Sequence, residues 1–253
     1  MERPREIYTT LVSWLNAAGD FCSPDVTVND IGPHHWRRAA AVARHAGPGP
    51  KRVLELGAGG GYTAAALAER GHEVVAVEFT AAAAEQLRWW AGKLPEGSLT
   101  VVEDDFYSVE LEGRFDAVCY FDGFGIGSDE EQRFLLGRVA DWLKPAGCAL
   151  VDVMTPWYWA AHSGEADEFH GLHGRFDFNG EACALRYRQW PEGRGVEAVA
   201  QVVRCCSPAD LRLLFEGTGL RLGTLESYES ERYARPVPIA KAMLYLATLV
   251  PGG

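Results

Sequence analysis

Val53-Leu54-Glu55-Leu56-Gly57-Ala58-Gly59-Gly60-Gly61 runs a short apolar strand directly into a glycine turn, and the chain from Tyr62 onward reads as the helix that this turn opens. Glycines are wanted there because a side chain would hold a ligand off the backbone, and because some turn positions need φ > 0. Free N–H groups at the start of the following helix attract an anionic part of a ligand. Glycine turns serve many ligands, so the neighbouring residues must discriminate. Tyr62 stands at the sixth position, where a dinucleotide fingerprint takes Gly or Ala for close helix packing, and this weighs against a pyrophosphate. Glu55, two residues before the first glycine, points the same way, since a carboxylate there repels phosphate and favours a cation.

The chain continues in the order a βαβα unit requires. Glu73–Glu78 is a second apolar strand ending in a carboxylate, 21 positions after Gly57. An acid at that strand end can accept both hydroxyls of a ribose. A third strand, Leu99–Glu103, ends in Asp104-Asp105-Phe106, and a fourth, Phe115–Phe121, ends in Asp122-Gly123-Phe124-Gly125. Ser128 followed by Glu131 is a capping box that starts a helix. Leu143-Lys144-Pro145-Ala146-Gly147 then turns into a fifth strand, Cys148–Val153.

From about Arg52 to Val153 these motifs resemble the class I S-adenosylmethionine-dependent methyltransferases, and within them the branch that acts on secondary metabolites such as antibiotics. The resemblance implies a Rossmann-like α/β fold with a seven-stranded sheet whose last strand is antiparallel. It implies S-adenosyl-L-methionine as cofactor, leaving as S-adenosyl-L-homocysteine, without a metal. Glu55, Gly57, Ala58 and Gly59 would then follow the methionine part, which carries a positive ammonium and sulfonium. Glu78 and Phe79 would meet the ribose. Asp105, or Asp104 one position earlier, would meet the adenine amino group, with Phe106 along the ring. Tyr120, Phe121, Asp122 and Phe124 would stand beside the transferring methyl group.

Bulk properties narrow the partners. The 253 residues carry 24 Lys and Arg against 35 Asp and Glu, a net charge of −11, with no basic run longer than two. Such a surface repels polyphosphate backbones, so neither DNA nor RNA is expected as a partner. A small-molecule substrate suits it. The charged stretch Met1–Glu6 is followed by no long apolar core, which argues against a signal peptide. Ala242–Val250 is too short to span a bilayer as a helix, so no membrane is expected. Cys22, Cys119, Cys148, Cys183, Cys205 and Cys206 show no paired zinc-ligand spacing and read as reduced small hydrophobes of a cytoplasmic protein. Homo-oligomerisation stays open.

Residues 1–50 read as an N-terminal helical segment and lid, and residues 51–253 as the cofactor-binding domain, with a cover inserted at about 157–206. Ile7, Leu11, Val12, Trp14 and Leu15 have helical spacing, and Pro33 to His45 reads as a second helix stopped by Gly47-Pro48. In small-molecule methyltransferases such an extension often closes over the site, which makes Tyr8 and Trp14 substrate candidates and Tyr8 a catalytic one; plain packing is the other reading. After strand five come Trp157, Tyr158, Trp159 and His162, then three short antiparallel strands with a hairpin turn at Asn179-Gly180. Ser207 and Asp210 cap a last helix, and strands Leu220–Ser227 and Lys241–Val250 complete the sheet.

Methyl transfer from a sulfonium is a direct displacement, so alignment and exclusion of water matter more than acid or base. Tyr8, Phe121, Asp122 and His162 are the catalytic candidates. Tyr8, Trp14, Phe124, Trp157 and Tyr158 are the substrate-binding ones, each alternatively a core aromatic. Asp122 orients an amine or caps its loop, and His34 and His35 are further base candidates. Arg186 and Arg188 share one face of a strand, solvated or anchoring an anion. Aromatics and acids outnumber bases here, which favours nitrogen as acceptor over oxygen. An NAD-dependent oxidoreductase and a cofactor-retaining protein without transferase activity stay open as other readings. The adenine register is directly testable: Asp105→Asn is expected to weaken S-adenosylhomocysteine binding more than Asp104→Asn does, as read by isothermal titration, and the reverse order moves the register by one residue.

Overall fold

The computed structural model describes residues 31–169, 172–191, 199–229 and 235–252. Strand β1 (Arg52–Leu56) is buried from Val53 to Leu56, as expected of a strand covered on both faces. It pairs in parallel with β2 (Glu73–Glu78) on one side and β4 (Phe115–Tyr120) on the other. β3 (Leu99–Glu103) continues beyond β2, and β5 (Leu143–Met154) beyond β4, again in parallel. β11 (Leu244–Pro251) then inserts antiparallel between β5 and β10 (Leu220–Tyr228). The resulting seven-stranded order is β10-β11-β5-β4-β1-β2-β3, with the antiparallel last strand that was expected.

Alternation along the strands divides the core between the two faces. Val53, Ala117, Cys119, Leu150 and Leu246 pack with Ala39 and Val42 of α1 (Pro33–Ala46), Leu67 of α2 (Tyr62–Glu69) and Leu87 of α3 (Ala81–Ala91). Leu54, Val118 and Val151 pack on the opposite face with Leu135 and Val139 of α4 (Asp129–Trp142). Local chemistry starts these helices where expected. The Ser128 hydroxyl accepts from Glu131 N–H while the Glu131 carboxylate accepts from Ser128 N–H, a complete capping box.

Between β5 and the helix α6 (Pro208–Leu214) lies the inserted cover. It consists of α5 (Pro156–Ala161) and a second sheet, β6 (Ala166–Phe169), β7 (Leu172–Asn179), β8 (Ala184–Pro191) and β9 (Val199–Arg204), antiparallel in chain order. Trp159, Leu185 and Cys205 form its small buried core. The ends of the insertion meet, because Cys206 N–H donates to the Met154 carbonyl at 3.0 Å.

Four details differ from the sequence reading. The cover sheet has four strands rather than three, since the segment before Asn179 folds as two. Asn179 does not open a two-residue turn: its side-chain oxygen accepts the N–H groups of Glu181 and Ala182 at 3.0 and 3.1 Å, and the turn runs to Cys183 with φ of 48°. β5 starts at Leu143, whose pairing with Phe115 precedes a register shift, so Lys144 to Gly147 bulge within the strand instead of preceding it. Ile239–Lys241 is a 3-10 turn, and β11 begins only at Leu244.

Gly61 locks α2 against α3. Its φ is +79°, and a Cβ there would lie 2.5 Å from Leu87 Cδ2. Gly61→Ala is therefore expected to destabilise the protein by about 2–4 kcal/mol through backbone strain and overpacking together, measured by urea denaturation.

Candidate functional site: a glycine cradle beside a buried ion cluster

The cradle is assembled by hydrogen bonds between β1's turn and the end of β2. Ala58 N–H donates to the Val77 carbonyl at 3.1 Å. Glu78, only 1 % exposed, accepts Gly59 N–H on Oε2 at 3.0 Å and the N–H and hydroxyl of Thr80 on Oε1 at 2.9 and 2.7 Å. A carboxylate offers about four acceptor positions, so room remains for a donor from a ligand. Phe79, half-buried, follows it. The Phe106 ring lies 3.7 Å from where a Gly57 Cβ would stand and meets Tyr120 edge-on with centroids 5.4 Å apart. Asp105, half-buried, accepts Tyr107 N–H at 2.9 Å, while the exposed Asp104 accepts Asp105 N–H at 2.7 Å. The fold thus brings Gly57 to Gly59, Glu78 and Phe106 to one end of the sheet.

Beside the cradle is a cluster of charged side chains, buried at Glu55 and Asp152 and exposed at Asp122. Arg38 of α1 donates through one guanidinium nitrogen to Asp122, after β4, and to Oδ2 of Asp152, on β5, at 2.9 Å. The same guanidinium sits 4.9 Å above the Phe121 ring. Glu55 is 4 % exposed, and its Oε2 has no hydrogen-bond partner among the described residues. Burial pushes the Glu55 carboxyl up to about 8, against the pull of Arg38 and with help from Asp122. Burial also raises Asp152, with Arg38 opposing and Asp122 adding. Asp122 itself adopts φ of 60°, the left-handed region. A turn held this tightly suits its neighbours: the Tyr120 hydroxyl donates to the Gly123 carbonyl at 2.7 Å.

Phe121 and Asp152 also line a cavity of about 630 Å³, enclosed further by Arg37 and Arg38 of α1 and by Glu226 and Tyr228 of β10. Phe124 is buried and packs edge-on against Tyr120 instead of facing that cavity. Trp157 and Tyr158 are half-buried on α5, and the Trp157 indole nitrogen is buried without a partner among the described residues. His162 turns back on its own helix: Nδ1 donates to the Tyr158 carbonyl at 2.7 Å and the ring stacks on Tyr158. Because a carbonyl only accepts, this bond fixes the tautomer. His35 hydrogen-bonds Thr63 at 2.7 Å, and burial first, then His34 and Arg38, lowers it to about 3, too low for a base near neutrality. Arg188 is paired with Asp177 at 2.6 Å, while Arg186 is exposed. Burial holds the thiols of Cys205 and Cys206 up at about 12, the opposite of a redox-active pair. Tyr8 and Trp14 lie outside the described residues.

Arg38 and Asp152 are the residues that sequence reasoning missed. A signal existed: Asp152 is a lone acid in the buried strand Cys148–Val153, and such an acid demands a partner.

This arrangement is similar to that of known methyltransferases. Residues 53–147 match the family model described as Methyltransferase domain. Among curated proteins, the chain is 32 % identical over 129 residues to a cypemycin N-terminal methyltransferase of Streptomyces sp, covering 50 % of this chain and 51 % of that protein. The chain thus spans about half the length of that relative. Among solved structures, the CcbJ methyltransferase from Streptomyces caelestis superposes with a TM-score of 0.72 at 23 % identity over 87 % of this chain and 90 % of its own. The glycopeptide N-methyltransferase MtfA, solved with S-adenosyl-L-methionine, gives a TM-score of 0.61 at 20 % identity over 89 % and 91 %. These two share the fold. No helix among the described residues is long and apolar enough to cross a membrane.

The buried Glu55 makes a prediction about pH. Native Glu55 keeps its proton to about pH 8, whereas its ordinary value is 4.5. The unfolded chain therefore binds fewer protons between those values, and stability falls as pH rises through that window. Glu55→Gln is expected to flatten this decline and to raise the Tm of the ligand-free protein at about pH 8, measured by thermal melts across pH.

Proposed function

We propose that the chain is a methyltransferase that uses S-adenosylmethionine to methylate an amine of a small-molecule secondary metabolite in the cytoplasm. The observation that carries this reading is the oxygen of buried Glu55 that has no partner among the described residues, two residues before a glycine turn already tied to Glu78. A buried carboxyl group that gives up its proton when a cation arrives fits a cationic ligand, and a strand-end acid with acceptor capacity to spare fits a ribose. Glu55, Gly57, Ala58 and Gly59 would hold the amino-acid end, Glu78 and Phe79 the ribose, and Asp105, Asp104 and Phe106 the adenine.

When bound, S-adenosylmethionine supplies a methyl group on a positively charged sulfur, open to direct displacement. The chain's own work is to align the acceptor and to exclude water. Phe121 presents an aromatic face to a cationic group, and Asp122 orients an amine beside it. Tyr8 and Trp14 from the N-terminal segment, and Trp157, Tyr158 and His162 from the insertion, complete the proposed acceptor surroundings, with Phe124 backing Tyr120. Nitrogen is favoured because burial holds His35 too low to act as a base near neutrality, while carboxylates and aromatic rings line the cavity. The names of cypemycin N-terminal methyltransferase and glycopeptide N-methyltransferase support the same acceptor atom.

Isothermal titration tests this directly. The wild-type chain is expected to bind S-adenosylhomocysteine, and Glu78→Ala to weaken it by about tenfold or more, since a hydrogen bond to a charged group contributes roughly 1.5–3 kcal/mol. A wild-type chain that does not bind S-adenosylhomocysteine overturns the function; unchanged affinity in the variant removes Glu78 from the site.

A further inference from the structure

Asp152 is the carboxylate of the ion cluster that lines the cavity. It is 8 % exposed and lines the cavity together with Phe121. Oδ2 is held by Arg38, while Oδ1 has no donor among the described residues. One guanidinium is shared between Asp122 and Asp152, and Glu55 is close enough to feel both Arg38 and Asp122. A carboxylate oxygen without a donor, facing a cavity beside a guanidinium already shared with another acid, is completed by a cation with N–H groups.

We infer that Asp152 binds the ammonium group of the acceptor inside this cavity and takes its proton, Arg38 acting as the positioning residue that holds the carboxylate. The inference rests on the methyltransferase reading and adds to it the group that meets the acceptor. An ammonium nitrogen has no lone pair and cannot attack a methyl group. Transfer of one N–H proton to Oδ1 frees that pair. The pair forms the new N–C bond as the carbon–sulfur bond breaks toward sulfur, leaving a methylated ammonium and a neutral thioether. Other groups facing Asp152 set its balance. Arg38 from α1 favours the ionised acid; Asp122 after β4 opposes it. Cys119 on β4 and Tyr228 on β10 also feel its charge. Farther along the cavity Arg44 is matched by Glu226 at 2.7 Å, and Arg37 and His34 complete the α1 wall. Burial gives Asp152 a stronger hold on a proton than a solvated carboxylate has, as a proton acceptor for an amine needs.

The experiment uses the full chain saturated with S-adenosylhomocysteine and follows the binding of benzylammonium, benzyl alcohol and phenylacetate by NMR titration. Benzylammonium is expected to bind about tenfold or more tightly than the alcohol. Its affinity should fall about tenfold as pH drops from about 7 to about 5 and Asp152 takes up a proton. Asp152→Asn should remove both the preference and the pH dependence while leaving S-adenosylhomocysteine affinity unchanged. Equal binding of amine and alcohol, tighter binding of phenylacetate, or a preference that survives in Asp152→Asn overturns the inference. So does a preference lost in Glu226→Gln but kept in Asp152→Asn, which puts the ammonium at the opposite wall. The selectivity and its pH dependence are read on the wild type, so they decide even if the variant folds poorly. Failure of S-adenosylhomocysteine to bind is a separate result and refutes the methyltransferase reading instead.

Discussion

One guanidinium ties together the segments on which the ligand-binding end of the sheet depends. Arg38 belongs to α1, Asp122 to the turn after β4 and Asp152 to β5, and the two strand ends would otherwise place like charges side by side. Removing one partner of a buried ion pair commonly costs about 3–5 kcal/mol, because the remaining charge is left without compensation. Here that cost falls on Asp152, which is buried, while Asp122 is exposed to solvent. The left-handed Asp122 adds to the constraint, since a non-glycine residue in that region persists only when its surroundings dictate it. Arg38 on one side and the Tyr120–Gly123 hydrogen bond on the other supply that dictation.

What could be read from the sequence follows from the range over which each signal acts. The strands around Val53–Leu56 and Val74–Glu78, the Ser128 capping box and the Ser207 capping box are set by residues within a few positions of one another, and they fold as read. The glycine turn and Glu78 were legible because each ends a strand of the same parallel pair. The ion cluster was not, since Arg38 and Asp152 lie 114 positions apart and nothing local links them. The cover was legible as a set of strands, yet its strand count depended on pairing between segments, such as Phe169 opposite Leu172, and not on periodicity. The start of β5 was misplaced for a related reason: Pro145 and Gly147 look like a turn locally, but the neighbouring strand end at Phe115 captures Leu143.

The histidines show how the same residue type is separated by environment. His35 is buried against Thr63 and Tyr62 and stays neutral, and His162 is fixed by a backbone carbonyl. Burial holds His35 too low for a base near neutrality. The carboxylates went the other way, with burial strengthening the proton hold of Glu55 and Asp152. Proton affinity near neutrality therefore resides in acids at this end of the sheet.

The hydrogen bond from Cys206 to Met154 has a consequence for how such proteins diversify. It closes the insertion at its stem, so the main sheet meets two adjacent chain ends whatever lies between them. Loop-closure entropy grows only slowly with length, and a stem already closed makes the interior still less visible to the rest of the fold. The cover is thereby an exchangeable cassette. Its sequence can drift, or be exchanged for another by splicing between Met154 and Cys206, while the sheet beneath it keeps its sequence and its stability.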